Sequence, residues 1–235
     1  MKKHFVTYGD DNYINQREVI KESALSSCFF DEVHLFTNHD IDAVFYQQTY
    51  KAITLNRGGG YWIWKPYFIK KVLDTLADND ILIYCDAGCI INTEGRDRFN
   101  EYIHMLSASP THTIDFSLRW EEYQYTKQEV FNHFNASDEM INSKQLHSTV
   151  IMLQKCAHTM QMIEKWYNTA IEYPLLFTDE KELTQHPKFI DHRHDQSIFS
   201  IIRKTYGTNI IDDETCYAVL ETGRKFPFWG ARIKG

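Results

Sequence analysis

The stretch that decides the fold is ILIYCDAG, residues Ile81-Leu82-Ile83-Tyr84-Cys85-Asp86-Ala87-Gly88. Its first part is apolar without interruption, which is typical of a strand that is buried on both faces of a sheet. The apolar run ends in an acidic turn that begins at Asp86. Open α/β sheets bind their ligands at the carboxyl ends of the strands, so Asp86 stands where a ligand site is expected. A turn of this composition is also common without any ligand, and a solvent-facing Asp86 is the alternative.

Strands and helices alternate on both sides of this stretch. Apolar runs predict further strands over residues 4–8, 33–37, 113–118 and 148–153. Helical spacing of apolar residues predicts helices over 15–27, 40–48, 66–76, 96–107, 158–173 and 194–206. We find no internal repeat, no low-complexity linker and no break in composition. The pattern therefore predicts one α/β domain over residues 1–235.

Composition excludes several classes of protein. With 235 residues, of which 43% are hydrophobic, the chain can bury a substantial core. A formal net charge of −7 disfavours bulk binding of nucleic acid. The apolar runs are far shorter than the roughly 20 residues that cross a bilayer. Met1-Lys2-Lys3 is not followed by the apolar segment of a signal peptide, which predicts a cytoplasmic protein.

The cysteines support the same compartment. They are odd in number and match no zinc spacing, so we interpret them as reduced thiols. They are Cys28, Cys85, Cys89, Cys156 and Cys216.

A glycine-rich segment precedes one predicted helix, with the sequence RGGGYWIWKP over residues 57–66. Glycine-rich loops can hold phosphate on backbone N–H groups, although this one matches neither the P-loop nor the dinucleotide fingerprint. Its basic ends, Arg57 and Lys65, could pair with phosphate oxygens. Trp62 and Trp64 alternate, so in an extended segment both would face one way. The alternatives are a flexible turn for the glycines and a place in the core for the tryptophans.

A second polar segment, DHRHDQ over residues 191–196, has no evident folding benefit. In an extended chain His192 and His194 would point to one side, which makes them a feasible metal pair. The alternative is that Asp195 caps the last long helix and that the histidines lie on the surface.

Taken together, three motifs resemble a family of bacterial and viral GT-A glycosyltransferases that are associated with surface polysaccharide and glycan synthesis. They are GGGYWIWKP (58–66), YCDAG (84–88) and HRHDQS (192–197), and the ending FPFWGARI (226–233) is also similar. The resemblance spans nearly the whole chain. It implies a Rossmann-like GT-A fold with a mostly parallel central sheet flanked by helices. It further implies a nucleotide-binding half (1–90) and an acceptor and catalytic half (91–235).

The resemblance also implies roles for single residues. Asp195 and Gln196 resemble the Asp-Gln pair that lies beside the anomeric carbon in glycogenin-like retaining transferases. GT-A enzymes commonly hold Mn²⁺ or Mg²⁺ with an Asp-X-Asp motif, of which Asp86 matches the first carboxylate, while Gly88 replaces the second. His192 or His194 would supply the missing ligand. The implied donor-binding residues are Tyr8, Arg57, Gly59, Gly60, Trp64, Lys65, Asp86, Ala87 and Gly88.

The expected activity is that of a hexosyltransferase. The donor would be a nucleoside-diphosphate sugar, with a UDP-sugar favoured, and the acceptor a saccharide or a lipid-linked saccharide. One alternative is a non-catalytic sugar-nucleotide or glycan-binding module, which the loss of the second Asp favours. Another is a metal-dependent phosphohydrolase that uses His194 and Asp195, which the predicted strands disfavour.

The end of the chain suggests at most a peripheral membrane association at the inner membrane face. Residues 224–235 mix basic and aromatic side chains without an acid, a composition that suits an anionic lipid surface. The alternative, which we favour, is that this segment packs on the body or closes over the donor.

Overall fold

The computed structural model of the chain describes residues 1–215 and 220–231. The strands are β1 (Lys3–Tyr8), β2 (Glu32–Phe36), β3 (Ile81–Cys85), β4 (Ile90–Ile91), β5 (Thr113–Glu121), β6 (Lys144–Leu146), β7 (Val150–Gln154), β8 (Ile210–Asp212) and β9 (Phe228–Trp229). The helices are α1 (Ile14–Ser27), α2 (Ala43–Gln48), α3 (Tyr50–Ile53), α4 (Gly58–Tyr61), α5 (Trp64–Leu73), α6 (Arg96–Ala108), α7 (Glu122–Tyr125), α8 (Gln128–Phe134), α9 (Asp138–Ile141), α10 (Ala157–Glu172), α11 (His194–Tyr206) and α12 (Leu220–Gly223). Short 3₁₀ helices span Asp11–Tyr13, Asn38–Asp40, Thr93–Gly95 and Pro174–Phe177.

Seven of the described strands form one sheet in the order β2-β1-β3-β7-β5-β6, with β8 also paired to β5. β1, β2, β3, β5 and β8 run in one direction, and β6 and β7 run in the other. The predicted α/β fold with a mostly parallel sheet is confirmed. Since β7 is antiparallel, the start of β7 lies at the same edge of the sheet as the end of β3.

Helices cover both faces of this sheet. Along β3, Leu82 and Tyr84 pack on one face with α5, α10 and α11. Ile81, Ile83 and Cys85 pack on the other face with α1 and α6. All five β3 side chains are therefore buried, as the uninterrupted apolar run predicts.

The glycine-rich segment is not extended, since the backbone has positive φ from Gly58 to Trp62 and forms a left-handed turn. The condition under which both tryptophans would face one way is therefore not met. Trp62 ends α4 in the left-handed region at φ 55°, and α5 begins two residues later. The two tryptophans consequently diverge. The Trp62 ring stacks on His194 with centroids 5.5 Å apart, and the Trp64 ring stacks on Tyr8 at 3.7 Å.

The end of the described chain packs on the body. β9 pairs with β4, Phe228 is buried against Phe99 and Tyr102, and the Trp229 indole donates to the Gly223 carbonyl at 2.8 Å. These contacts bury Phe228, whereas Phe226 and Trp229 stay partly exposed. The described part of the segment thus packs on the body, as the favoured alternative expects, and peripheral membrane association stays a prediction. Arg232 and Lys234 lie outside the described residues.

Two further predictions concern the described part of the chain. No helix within it is long and apolar enough to cross a bilayer. Its cysteines, Cys28, Cys85, Cys89 and Cys156, are free thiols, whereas Cys216 lies outside the described residues.

Candidate active site

A cleft of about 1330 Å³ opens at the carboxyl edge of the sheet. Asp86 follows β3 at its floor, and the first turn of α11 brings Asp195 to the same cleft. If the family resemblance holds, the end of residues 81–85 and the start of the last long helix should meet across one cleft. In the structure Asp86 and Asp195 line the same cleft.

A buried lysine joins the two carboxylates. Lys65, at the start of α5, is 2% exposed, and its Nζ lies 3.1 Å from Asp86 Oδ1 and 2.7 Å from Asp195 Oδ2. The same ammonium donates to the Ser148 carbonyl at 3.1 Å. The ammonium thus has three oxygen atoms of the protein within about 3.1 Å, two of them from carboxylates. We call Lys65, Asp86 and Asp195 the ion triad.

The two carboxylates of the ion triad differ in environment. Asp195 is 4% exposed, and burial raises the pKa of its carboxyl to about 6, with a further contribution from Asp86, although Lys65 acts in the opposite direction. The Asp86 side chain is 30% exposed, and both of its side-chain contacts, from Lys65 and from the Tyr84 hydroxyl at 2.7 Å, are to Oδ1. Burial lowers the pKa of Lys65, but the two carboxylates outweigh it and leave that pKa raised. The triad therefore contains one ammonium ion and carries a net negative charge when Asp195 is ionised.

Asp195 is held in place by the helix that carries it. Arg203, two turns along α11 and fully buried, forms an ion pair with Asp115 of β5 and donates to the carbonyls of Leu146 and His147 at 3.2 and 2.9 Å. Asp195 itself lies inside the first turn, after the capping residue Arg193. The interpretation of Asp195 as a helix cap is therefore wrong, since its carboxylate contacts Lys65.

Gln196 also lies in the cleft, but its amide is used within the fold. Oε1 accepts from the Ser148 N–H at 3.2 Å, and Nε2 donates to Gln145 Oε1 at 2.7 Å. These bonds hold β6 and the link between β6 and β7 against α11.

Aromatic rings and glycines form the wall beside Asp86. Tyr8 and Trp64 stack on each other, and both line the cleft together with Ala87 and Gly88. The Trp64 indole donates to the Gly58 carbonyl at 3.1 Å, which ties the stacked pair to the glycine-rich segment.

Two predicted donor-binding glycines have structural reasons to be glycine. At Gly60, with φ +95°, an added Cβ would lie 2.6 Å from Ile53 Cα. At Gly59 it would meet Asp10 Oδ2 at 3.1 Å. Neither lines the cleft, whereas Gly58 does, so the structure does not support Gly59 and Gly60 as donor contacts.

Arg57 lines the cleft, but its guanidinium is paired. It lies 2.9 Å from carboxylate oxygens of both Asp179 and Asp191. The Asp179 carboxylate also accepts from the Tyr61 hydroxyl at 2.9 Å. Arg57 therefore holds the 179–191 segment on α4, and a phosphate would have to displace a carboxylate to reach it.

The predicted metal set does not assemble. Both ring nitrogens of His192 face backbone groups, since Nε2 lies 2.9 Å from the Leu176 carbonyl and Nδ1 accepts from the Lys127 N–H at 3.4 Å. His194 donates from Nδ1 to the Phe177 carbonyl at 2.8 Å. Asp86, His192 and His194 do not come close enough to one another to hold one ion. Among residues 1–215 and 220–231, a group of three side chains with metal-compatible spacing is found only elsewhere in the chain. The prediction of His192 as a ligand is thus wrong, and burial lowers the pKa of both histidines, that of His194 to about 4.

The structure adds cleft residues that sequence reasoning missed. His147 is buried beside the ion triad, burial lowers its pKa to about 4, and its Nδ1 lies 3.2 Å from Thr215 Oγ1. The other additions come from the loop after β1, the end of β5 and the end of β8, and they include Asp10, Asn12, Tyr13, Arg119, Trp120 and Asp213. His147 lies just before the apolar run of β7. It could have been placed in the cleft from the sequence only if that run had been predicted as an antiparallel strand.

Comparison with known proteins finds solved structures of similar fold but no protein that is related in sequence. No family model and no curated protein matches the chain. A glycosyltransferase involved in glycosylation of the major capsid of PBCV-1 superposes with a TM-score of 0.55 at 8% identity, covering 97% of this chain and 93% of that one. Mouse xyloside xylosyltransferase 1 (TM-score 0.48, 12% identity, 98% and 97% covered) and galactosyltransferase LgtC with donor and acceptor analogues (0.47, 12%, 96% and 86%) are also similar. The first likeness shows that the fold is the predicted GT-A type.

Proposed function

We propose that this chain is a glycosyltransferase that moves a hexose from a nucleoside-diphosphate sugar, a UDP-sugar by preference, to a saccharide acceptor in polysaccharide or glycan synthesis. The observation that supports this most is the ion triad, in which carboxylates from distant parts of the chain converge in one cleft of a GT-A fold. A volume of about 1330 Å³ exceeds the roughly 300–1,000 Å³ of a pocket for one small ligand. The cleft therefore has room for donor and acceptor together.

In this proposal residues 1–90 bind the nucleotide, and residues 91–235 bind the acceptor and complete the catalytic site. The stacked pair Tyr8 and Trp64 offers an aromatic wall to the donor. Beside it, Ala87 and Gly88 allow close approach of the ligand to the backbone. Asp86 binds the ribose hydroxyls or a cation on the diphosphate.

Asp195 acts on the reacting carbon. As the bond from the anomeric carbon to the diphosphate oxygen breaks, positive charge develops on that carbon. The acceptor oxygen then bonds to the carbon and passes its proton to the departing diphosphate. A carboxylate that is already fixed in a buried place stabilises this charge without reorganising. Lys65 holds the Asp195 carboxylate in position. Gln196 fixes the first turn of α11, which carries Asp195, through its bonds to Ser148 and Gln145.

A divalent cation, Mn²⁺ or Mg²⁺, could be held by Asp86, but not by Asp86 together with His192 and His194. Mg²⁺ is commonly held by one or two carboxylates and by the phosphates of the substrate. Asp86 suits this role because it lines the cleft and both of its side-chain contacts are to Oδ1. When bound, the cation would neutralise charge on the leaving diphosphate. The phosphohydrolase alternative loses support, since Asp195 contacts Lys65 and belongs to no three-ligand group among the described residues.

The proposal is tested by release of nucleoside diphosphate from a panel of nucleotide sugars with Mn²⁺. We expect turnover with at least one donor and a fall of about 10²–10³-fold for Asp195→Asn, with donor affinity by calorimetry unchanged. Asp86→Ala should abolish turnover and weaken donor binding. Asp78→Ala, which removes an exposed carboxylate from a turn, is the matched control and should behave as wild type.

Two results would refute the proposal. Full activity of a folded Asp86→Ala variant would remove the donor-site assignment. Donor binding without turnover across the panel, also in the presence of candidate saccharides, would favour the non-catalytic binding module instead.

A further inference from the structure

Three potential metal ligands meet at the amino-terminal edge of the sheet, the edge opposite to the cleft. His4 lies at the start of β1, and Glu32 and His34 lie on β2. In the parallel register, His4 is opposite Glu32, and Val6 is opposite His34. Since side chains alternate along a strand, all three ligands project from one face. We propose that they form a binding site for a zinc-type divalent metal ion.

The distances between the ligand atoms match those of a tetrahedral site. His4 Nδ1 lies 3.2 Å from His34 Nε2, and Glu32 Oε2 lies 3.5 Å from the former and 3.9 Å from the latter. Bonds of about 2.0–2.1 Å at the tetrahedral angle put two ligand atoms about 3.3–3.4 Å apart. One ion therefore fits between the three atoms with side-chain shifts of a few tenths of an ångström.

A hydrogen bond between the two imidazoles would account for one nitrogen of each ring but gives no part to Glu32 Oε2, which lies 3.5 Å from one of these nitrogens and 3.9 Å from the other. His4 Nε2 is buried without a hydrogen-bond partner and lies 3.8 Å from Asp80 Oδ2. If Nδ1 binds a metal, the proton must be on Nε2 and points toward that carboxylate. Histidine ligands commonly donate their second N–H to a carboxylate, and a small side-chain shift would bring Asp80 into that role. Asp80 is in turn fixed by the Lys2 N–H, which donates to its Oδ1 at 2.6 Å.

The neighbouring charges permit this occupant. The Lys2 ammonium bonds Glu32 Oε1 at 2.8 Å, which leaves Oε2 toward the histidines, and Lys3 is paired with Asp31.

The ligand set selects the class of metal. Two imidazoles and one carboxylate suit Zn²⁺ or a similar transition metal, whereas Mg²⁺ prefers oxygen ligands. Three protein ligands leave the fourth position to water. Because the site joins β1 to the edge strand β2, a bound ion would stabilise that edge. It lies apart from the ion triad and does not depend on the proposed transferase activity.

Titration calorimetry of untagged, chelator-treated protein with ZnCl₂ tests the proposal. We expect one tight equivalent and a rise in melting temperature. His34→Ala should weaken binding at least 100-fold and abolish the thermal shift. Asp80→Asn should weaken binding about 10–100-fold, as loss of an outer carboxylate partner does. His39→Ala is the matched control, because its ring is 75% exposed and outside the cluster, and it should bind as wild type.

Equal Zn²⁺ affinity of wild type and His34→Ala, or no binding by wild type, would overturn the site. Glu32→Gln serves the same comparison if His34→Ala does not fold. Titration with MgCl₂ should show no binding here, so that a cation at Asp86 is not mistaken for this site.

Discussion

At the scale of single residues, Lys65 has a role that differs from its sequence interpretation. Its place after a glycine-rich segment predicts a cation for phosphate. In the structure its ammonium contacts Asp86, Asp195 and the Ser148 carbonyl. It would therefore act on the donor through the carboxylates that it positions.

Replacing Lys65 by methionine should destabilise the fold. The change leaves two carboxylates facing each other without their cation, and loss of one partner of a buried ion pair costs about 3–5 kcal/mol. We expect the lower end, about 3 kcal/mol at pH 8, because Asp86 is partly exposed. Urea unfolding measures this difference. Lys70→Met on the same helix, which removes the more exposed pairs with Asp74 and Glu164, should cost less than about 1 kcal/mol.

The cost of Lys65→Met should depend on pH with a definite sign. Asp195 has a raised pKa in the folded state, so protonation stabilises the fold at acid pH, and this gain is lost as pH rises through about 6. Without Lys65 the Asp195 pKa rises further. The destabilisation should therefore be smaller at pH 5 than at pH 8, and an equal or larger loss at pH 5 would contradict the ion triad.

The turnover number should fall at acid pH because Asp195 becomes protonated. If its ionised carboxylate stabilises the reacting carbon, the turnover number should fall about tenfold per pH unit below about 6. The residual activity of Asp195→Asn should be flat over this range. A fall at acid pH that persists unchanged in Asp195→Asn would assign the titration to another group.

At the scale of elements, the sequence predicts which segments are strands and helices better than how they are oriented. Apolar runs mark β3 and β7 because both are buried on two faces, but an apolar run contains no information about strand direction. The antiparallel course of β7 is what brings Ser148 and His147 to the cleft. Distances among residues 65, 86 and 195 depend on that packing, which is why the triad could be predicted only as a shared cleft.

The glycine-rich element should be intolerant of side chains at one position. Gly60→Ala adds a methyl group against the Ile53 backbone in addition to the strain of φ +95°, so we expect a loss of about 2–5 kcal/mol. Gly59→Ala is the better matched control, because Gly59 is also in the left-handed region, with φ +60° and ψ 41°, but its Cβ would meet only side-chain atoms, of which Asp10 Oδ2 is the nearest, and it should cost about 1–2 kcal/mol. Chemical unfolding of both variants measures the contrast, and equal losses would show that the close approach is relieved by local movement.

At the scale of the whole molecule, binding should be visible as stability. A nucleotide-sugar donor at a hundred times its dissociation constant should stabilise the fold by about 2.7 kcal/mol. For a chain of this length, that corresponds to a rise in melting temperature of about 5–11 °C. Thermal shift with and without Mn²⁺ ranks the donors. Asp86→Ala should lose most of the rise, and a rise that Asp86→Ala retains in full would place the donor elsewhere.

The place of β7 in the sheet has a consequence for how the protein is made. β1, β2 and β3 leave the ribosome early, but β3 obtains its second neighbour only when residues 150–154 have been synthesised, and α10 and α11 follow later still. Until then the nascent chain carries an apolar strand with one open edge, which invites pairing with other chains. Slowing translation between β3 and β7 should therefore lower the yield of native protein, whereas chaperones that shield nascent strands should restore it.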